Sequence, residues 1–508
     1  MRLPAPSRQR FVAPLAAVSL TMGLAGCASA PPRTVHGRPA TSAAPGRVWT
    51  GPDAAGAPLT PGQRALATRG GLVTATVPAE VATRINGLTL SDVVDLALGN
   101  NPLTRISWAQ ARAAAAAYGS ANGLFFPTLS GDIIGGPARA ISANPARLPA
   151  DRRTLVASVS LQYILLDFGA RSGASRAARE ALYAADFAHN TALQDVLLQT
   201  QQAFFAFQSA RGVLEATRAN VETARQNLAA AERRREVGVA TIADVLQART
   251  ALAQGELAAQ GADGDLEAAR ATLALAMGFD ANRRFDIATD SSAFPLRELA
   301  DNVDSLITRA ERDRPDLAAA RALVRQSEAQ VTIARAALFP SLALGSNVGR
   351  NFANVSTLEG RTFALTLGVQ IPLFSGNARQ YDVVAARENA AAASARAEQA
   401  RLQSAAQVYT AYHALRTAAQ RVSTSLVLLN TATQSEQVAR GRYAEGVGSI
   451  LDVLVAQTAL ADARAQAVTA RWTWFTTLAQ LGRAAGALTP TGPAGLRFSS
   501  DSTPGSPR

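Results

Sequence analysis

Along residues 362–371 the chain alternates with a period of two: Phe363, Leu365, Leu367, Val369 and Ile371 are apolar, while Thr362, Ala364, Thr366, Gly368 and Gln370 are small or polar. The same alternation runs through Leu155, Ala157, Val159, Leu161 and Tyr163, with Val156, Ser158, Ser160 and Gln162 between them. A period of two predicts a strand with one apolar and one polar face, and about ten residues cross a bilayer when tilted. Segments 128–134 and 341–348 supply the hairpin partners.

The period then changes to seven. Residues 171–236 and 379–445 hold no proline, and roughly 65 helical residues reach about 100 Å. Phe207, Leu214, Val221 and Leu228 recur on one seam, with Ala203, Ala210, Thr217, Ala224 and Ala231 beside them. Leu415, Val422 and Leu429, with Ala411, Ala418, Ser425, Ala432 and Ala439, repeat the arrangement. A heptad seam with one small side predicts coiled-coil packing at close approach. Shorter helices precede the strands. One begins near Thr89 and Ser91, another after Asn101-Pro102 and stops at Phe126-Pro127, and a counterpart runs from Arg314-Pro315 to Phe339-Pro340.

These parts occur twice in one order. Asn101-Pro102 answers Arg314-Pro315, and Leu124-Phe125-Phe126-Pro127 answers Ala337-Leu338-Phe339-Pro340, both at a spacing of 213 residues. Leu165-Leu166-Asp167-Phe168-Gly169 answers Leu373-Phe374-Ser375-Gly376-Asn377 at 208. Gly238-Val239-Ala240-Thr241-Ile242-Ala243-Asp244-Val245-Leu246 answers Gly446-Val447-Gly448-Ser449-Ile450-Leu451-Asp452-Val453-Leu454, again at 208. The chain is read as two tandem repeats, 88–300 and 301–482, each a helix, a strand pair and a long helical hairpin.

Four amphipathic strands cannot close a barrel, and an open edge in lipid leaves backbone groups unpaired at several kcal/mol each. Several copies must therefore share one barrel, and the helices, far longer than a bilayer is thick, must project into water. Composition agrees. Of 508 residues 48% are hydrophobic, 6% aromatic and 17% charged, which excludes a disordered chain and favours alanine-rich helices over bulky cores. The net charge is +12, carried by 50 arginines and no lysine. They are scattered among acids and amides along the helices, so no nucleic-acid patch is expected.

The N-terminus carries an address. Arg2, Arg8 and Arg10 precede an apolar run over 11–24, and Leu24-Ala25-Gly26-Cys27 looks like a bacterial lipobox. Residues 1–26 are read as a lipoprotein signal peptide and Cys27 as the lipidated residue. A Pro/Gly/Ala-rich tether over 27–87 and a disordered tail over 483–508 are expected.

With the duplicated motifs, the lipobox and the Phe-Pro stops in place, the chain resembles the TolC-type outer-membrane efflux family over residues 88–482. The resemblance implies a mostly α protein with membrane β: a homotrimer whose twelve strands form one outer-membrane barrel above a periplasmic α-barrel. It implies a passive exit channel, working with a periplasmic adaptor and an inner-membrane pump of RND or ABC type, and no enzyme. It further places Gly238, Val239, Gly446 and Val447 at the periplasmic tip that adaptors touch, and Asp452 at the pore constriction. Asp244, its counterpart, falls in the outer helix pair. Val455 and Gly448 depart from the family, standing where some members carry an aspartate and an arginine, and they put a charge-locked mouth in doubt. The alternative is a periplasmic coiled-coil structural lipoprotein without a pore.

No metal or cofactor site is expected. His36, His189 and His413 are dispersed and read as surface histidines, and the Gly261–Asp265 stretch lacks the further oxygen ligands of a calcium loop. Trp472, Trp474 and Phe475 are expected to pack the last helix against a neighbour.

Overall fold

The computed structural model describes residues 40–50, 87–139, 151–288, 301–354, 359–489 and 492–493. The signal peptide, Cys27, His36, most of the tether and residues 494–508 lie outside them.

In chain order the first half contains α1 (Leu90–Asn100), α2 (Pro102–Gly123), β1 (Thr128–Arg139), β2 (Asp151–Leu166), α3 (Ala170–Glu236) and α4 (Ile242–Ala276). The second half repeats it with α5 (Val303–Asp313), α6 (Pro315–Ala336), β3 (Ser341–Ala353), β4 (Gly360–Gln370), α7 (Ala378–Ala444) and α8 (Ile450–Ala484), followed by the short pair β5 (Leu488–Thr489) and β6 (Gly492–Pro493). The four helices measure 11, 22, 67 and 35 residues in each half, so the duplication extends to every helix length. The strands form one antiparallel sheet in the order β1-β2-β3-β4.

Local chemistry sets the helix ends. Thr89 caps α1 in a capping box with Asp92, and Asn101 caps α2 with Pro102 at its first turn. The end of α4 abuts the start of α2 there: Asn101 Nδ2 donates to Ala276 O at 3.1 Å. Gly278, at φ +77°, approaches so closely that a Cβ would lie 2.8 Å from the Asn100 carbonyl. At the matching joint Gly486 has φ +70°, and Arg314 Nη1 donates to Ala484 O at 3.3 Å. Each 35-residue helix thus continues end to end into a 22-residue one alongside a 67-residue partner.

The main core lies at these joints. Leu193, Leu197 and Phe207 of α3 meet Val93 and Leu96 of α1 and Leu273 of α4, and a second core gathers Leu415 and Val422 of α7 with Leu306 of α5 and Leu481 of α8. On the heptad seams, Phe207, Leu214, Val221, Leu415 and Val422 are buried. Trp472 and Phe475 pack α8 onto α3 of the same chain, stacking on Phe205 at 6.1 and 5.4 Å.

Three expectations are corrected. The tail expected over 483–508 is not disordered from its start: α8 runs to Ala484, Leu488 is buried in the main core, and Gln201 Nε2 donates to Thr489 O at 2.8 Å. Part of the tether is packed as well. Trp49 sits 5.5 Å from Tyr183 and 5.2 Å from Phe187, its N–H donates to Asn190 Oδ1, and Asn190 Nδ2 donates to its carbonyl, both at 2.8 Å. His189 is buried, not on the surface. Its Nε2 meets the Arg47 carbonyl at 3.0 Å and its Nδ1 meets Ser107 Oγ at 2.9 Å. Burial lowers the imidazole pKa, so the ring works here as a neutral clamp on residues 40–50.

Candidate channel wall and helical tip

Cross-strand register sorts the sheet into two faces. Val348 pairs with Phe363 and with Val159, which pairs with Gly131, and two residues along the strands Ser346, Leu365, Leu161 and Leu129 align in the same way. Paired residues share a face, so this face carries Leu129, Ile133, Leu155, Val159, Leu344, Phe363, Leu365, Leu367 and Val369. Phe363 is 73% exposed and Leu367 65%. The opposite face carries Ser130, Asp132, Ser158, Ser160, Gln162, Asn347, Thr362, Thr366 and Gln370, with Ile134, Val156 and Ile164 as apolar exceptions. The hydroxyls of Ser130 and Ser160 meet at 2.7 Å. β1 and β4 each keep one unpaired edge among the described residues, and Pro137 stands in β1, as an edge strand permits. One apolar face, one polar face and two unpaired edges among the described residues suit the sheet to be one segment of a larger wall.

The junctions between sheet and helices are aromatic. Phe168 stacks on Phe339 at 5.2 Å, while Phe126 and Phe374 are exposed. Asp167 holds the turn into α3: its Oδ2 accepts from Arg171 N at 2.9 Å and from Arg171 Nε at 2.8 Å.

About 100 Å away by helix length, the two turns explain the strongest repeated motif. After α3, Gly238 takes φ +80°. There Gly238 N donates to Arg235 O at 2.9 Å and Val239 N to Arg234 O at 2.8 Å. After α7, Gly446 takes φ +77°. Its N donates to Tyr443 O at 3.1 Å, and Val447 N donates to Arg442 O at 2.9 Å. Both are Schellman ends, which require the left-handed residue that glycine supplies. The next helices start with capping boxes, Thr241 with Asp244 and Ser449 with Asp452. Val239 and Val447 project from the turns, 63% and 68% exposed.

Asp452 therefore completes the capping box of its own helix, answering the N-cap Ser449. Hydrogen bonds from the Ser449 backbone and hydroxyl, with Arg442 nearby, hold its exposed carboxyl below the usual range. It stays charged at neutral pH. Leu451 and Val455 are exposed on the same turn of α8.

Near this end a polar clasp, not anticipated from sequence, ties the two helical hairpins together. Arg234 Nη1 donates to Tyr443 O at 2.8 Å, with its guanidinium 4.5 Å from the Tyr443 ring. Asn227 donates to Gln457, Gln457 to Glu436, and Arg440 pairs with Glu436. Among the described residues no His, Cys, Asp and Glu group could hold a metal ion. His413 is exposed beside Tyr409, and residues 261–265 lie inside α4.

This geometry defines the class: a protomer of a composite barrel, with a sheet segment above and helical hairpins below. The sequence profile of the outer membrane efflux protein family matches residues 93–279 and 306–487, and the chain belongs to that family. Protein CyaE of Bordetella pertussis is 33% identical over 387 residues, spanning 75% of this chain and 81% of CyaE. Outer membrane protein OprJ of Pseudomonas aeruginosa is 28% identical, over 72% of this chain and 78% of OprJ. The crystal structure of the Campylobacter jejuni CmeC outer membrane channel superposes with a TM-score of 0.70 at 20% identity, over 80% of this chain and 86% of that one.

Proposed function

We propose that the chain is the outer-membrane exit channel of a tripartite efflux or type I secretion system. It assembles as a homotrimer and passively conducts substrates from a periplasmic adaptor and an inner-membrane pump, of RND or ABC type, to the exterior. The two-faced sheet with two free edges carries this reading. In lipid its edges require further copies, and once closed its polar face surrounds a pore. No described helix is long and apolar enough to cross a membrane. The related CmeC is a channel and CyaE is a family relative of similar span, which supports a conduit over a catalyst. Purified full-length protein in planar bilayers is expected to give discrete single-channel currents. Folded trimers without any current would favour a pore-free coiled-coil spacer.

Gly238, Val239, Gly446 and Val447 form the adaptor-facing tip, supported by two matching turns that each present an exposed valine. Val239→Glu with Val447→Glu should weaken adaptor binding and leave thermal stability unchanged. Asp452 contributes a standing negative charge to the constriction. Dilation of this tip would have to break the two contacts that join α3 to the second hairpin, Arg234 to Tyr443 and Asn227 to Gln457. Cys27 carries the lipid, and Cys27→Ser is expected to abolish radiolabelled palmitate incorporation. Persistent label would remove the anchor from this account.

A further inference from the structure

At the loop end of the sheet the apolar face turns cationic. Register sets Arg350 of β3 directly opposite Arg361 of β4, on the face that carries Val348, Phe352 and Phe363. Arg153 of β2 lies on the same face, two residues before Leu155, and its N–H donates to Asn354 Oδ1 at 2.8 Å. All three side chains are exposed. Among the described residues none of their guanidiniums has an ion pair or a hydrogen bond, and Glu359 makes no ion pair with them. Arg350 only lies over the Phe352 ring, at 4.8 Å. Like charges directly opposite each other destabilise an antiparallel pair. The pair therefore favours an anion from outside the chain.

Height identifies which anion. Phe339 marks the helix end of the apolar band, and Val348 lies nine positions further along the chain. That is about 30 Å along a strand, or about 23 Å of height at a tilt of about 40°, against a band about 25 Å tall in outer-membrane barrels. Arg350 and Arg361 thus begin where the hydrocarbon ends, facing lipid and not the polar lumen.

We propose that Arg350 and Arg361, with Arg153 beside them, bind the phosphate of an outer-leaflet lipid headgroup. The site rests on the membrane placement of the sheet argued above. Guanidinium forks match phosphate oxygens in bidentate geometry, and the acyl chains would lie along Phe363 and Leu365.

Full-length protein in detergent, incubated with bisphosphorylated lipid A or with its dephosphorylated form, tests this by native mass spectrometry of retained lipid. The phosphorylated lipid should be retained about tenfold better, and Arg350→Gln with Arg361→Gln should remove that preference. Equal retention of the two lipids by the unaltered protein, a comparison that needs no variant to fold, overturns the site. Displacement of bound lipid by millimolar inorganic phosphate alone would assign a free-anion site and overturn the lipid assignment. Planar-bilayer currents separate the two proposals. A double variant that conducts normally without lipid preference supports the site, whereas lipid preference in a protein that never conducts sinks the channel reading and leaves the site standing.

Discussion

The helices α3 and α7 have the same length and opposite surroundings. α3 buries 24 of its 67 residues, α7 only 10 of 67. No large apolar side chain of α3 is exposed, while Val384, Leu402, Tyr409, Val427 and Val438 of α7 are. Those five are spaced by 18, 7, 18 and 11 residues, close to whole turns at about 3.6 residues per turn, so they form one stripe. Duplication produced two equal rods, and their surfaces then diverged. α3 became the axis of the protomer, clad by α2, α4, α6 and α8. α7 kept an apolar face far too long for a free solvent surface, which suits a second copy of the chain.

The contrast can be broken most severely at the stripe. Val427→Arg with Val438→Arg should abolish assembly, seen as monomers by light scattering, with helix content by circular dichroism unchanged. In α3 the loss should fall on folding instead: Leu214→Ala, at a buried seam position, is expected to cost about 2–5 kcal/mol in denaturant unfolding, whereas Leu426→Ala on exposed α7 should stay within about 0.5 kcal/mol. Gly278→Ala at the α4–α2 joint should cost about 2 kcal/mol, since it meets both a positive φ and the Asn100 backbone, while Gly238→Ala, with open space around it, should cost about 1 kcal/mol.

A subtler probe is Asp186, buried in α3, whose carboxylate oxygens have no partner among the described residues. Burial pushes its pKa from 3.8 to about 9. The folded chain then holds a proton that the unfolded chain releases, so stability falls as pH rises through that window. Melting temperature should decline from pH 6 to pH 8.5 in the unaltered protein and flatten in Asp186→Asn. An equal slope in both would remove Asp186 as the cause.

Much of this architecture was legible because it rests on period and spacing. Alternation at Phe363–Val369 marked the apolar face of the sheet, and the heptads marked the seams that bury Leu214 and Val422. The Gly-Val and Asp-Val-Leu segments were legible as a repeat, and helix-end chemistry explains why they recur: a left-handed glycine, then a Ser or Thr cap answered by Asp. Contacts across long sequence distances were not legible. Trp49 sits in a stretch whose composition predicts an extended tether, and residues more than 130 positions away, Tyr183, Phe187 and Asn190, give it a seat. His189 shows no local sign of burial, since Ser107 and Arg47 reach it from other segments. The Arg350–Arg361 pair appears only once strand register is known.

The strap formed by residues 40–50 sets a leash length for the N-terminus. Its aromatic foot rests on Tyr183, thirteen residues into α3 from Ala170, about 20 Å below the sheet at 1.5 Å per residue. The thirteen Cα-to-Cα steps from Cys27 to Ala40 can span at most about 45 Å. An acyl chain on Cys27 could therefore seat in the inner leaflet with slack to spare, without peeling Trp49 from its socket, so the anchor would moor the barrel without pulling on it.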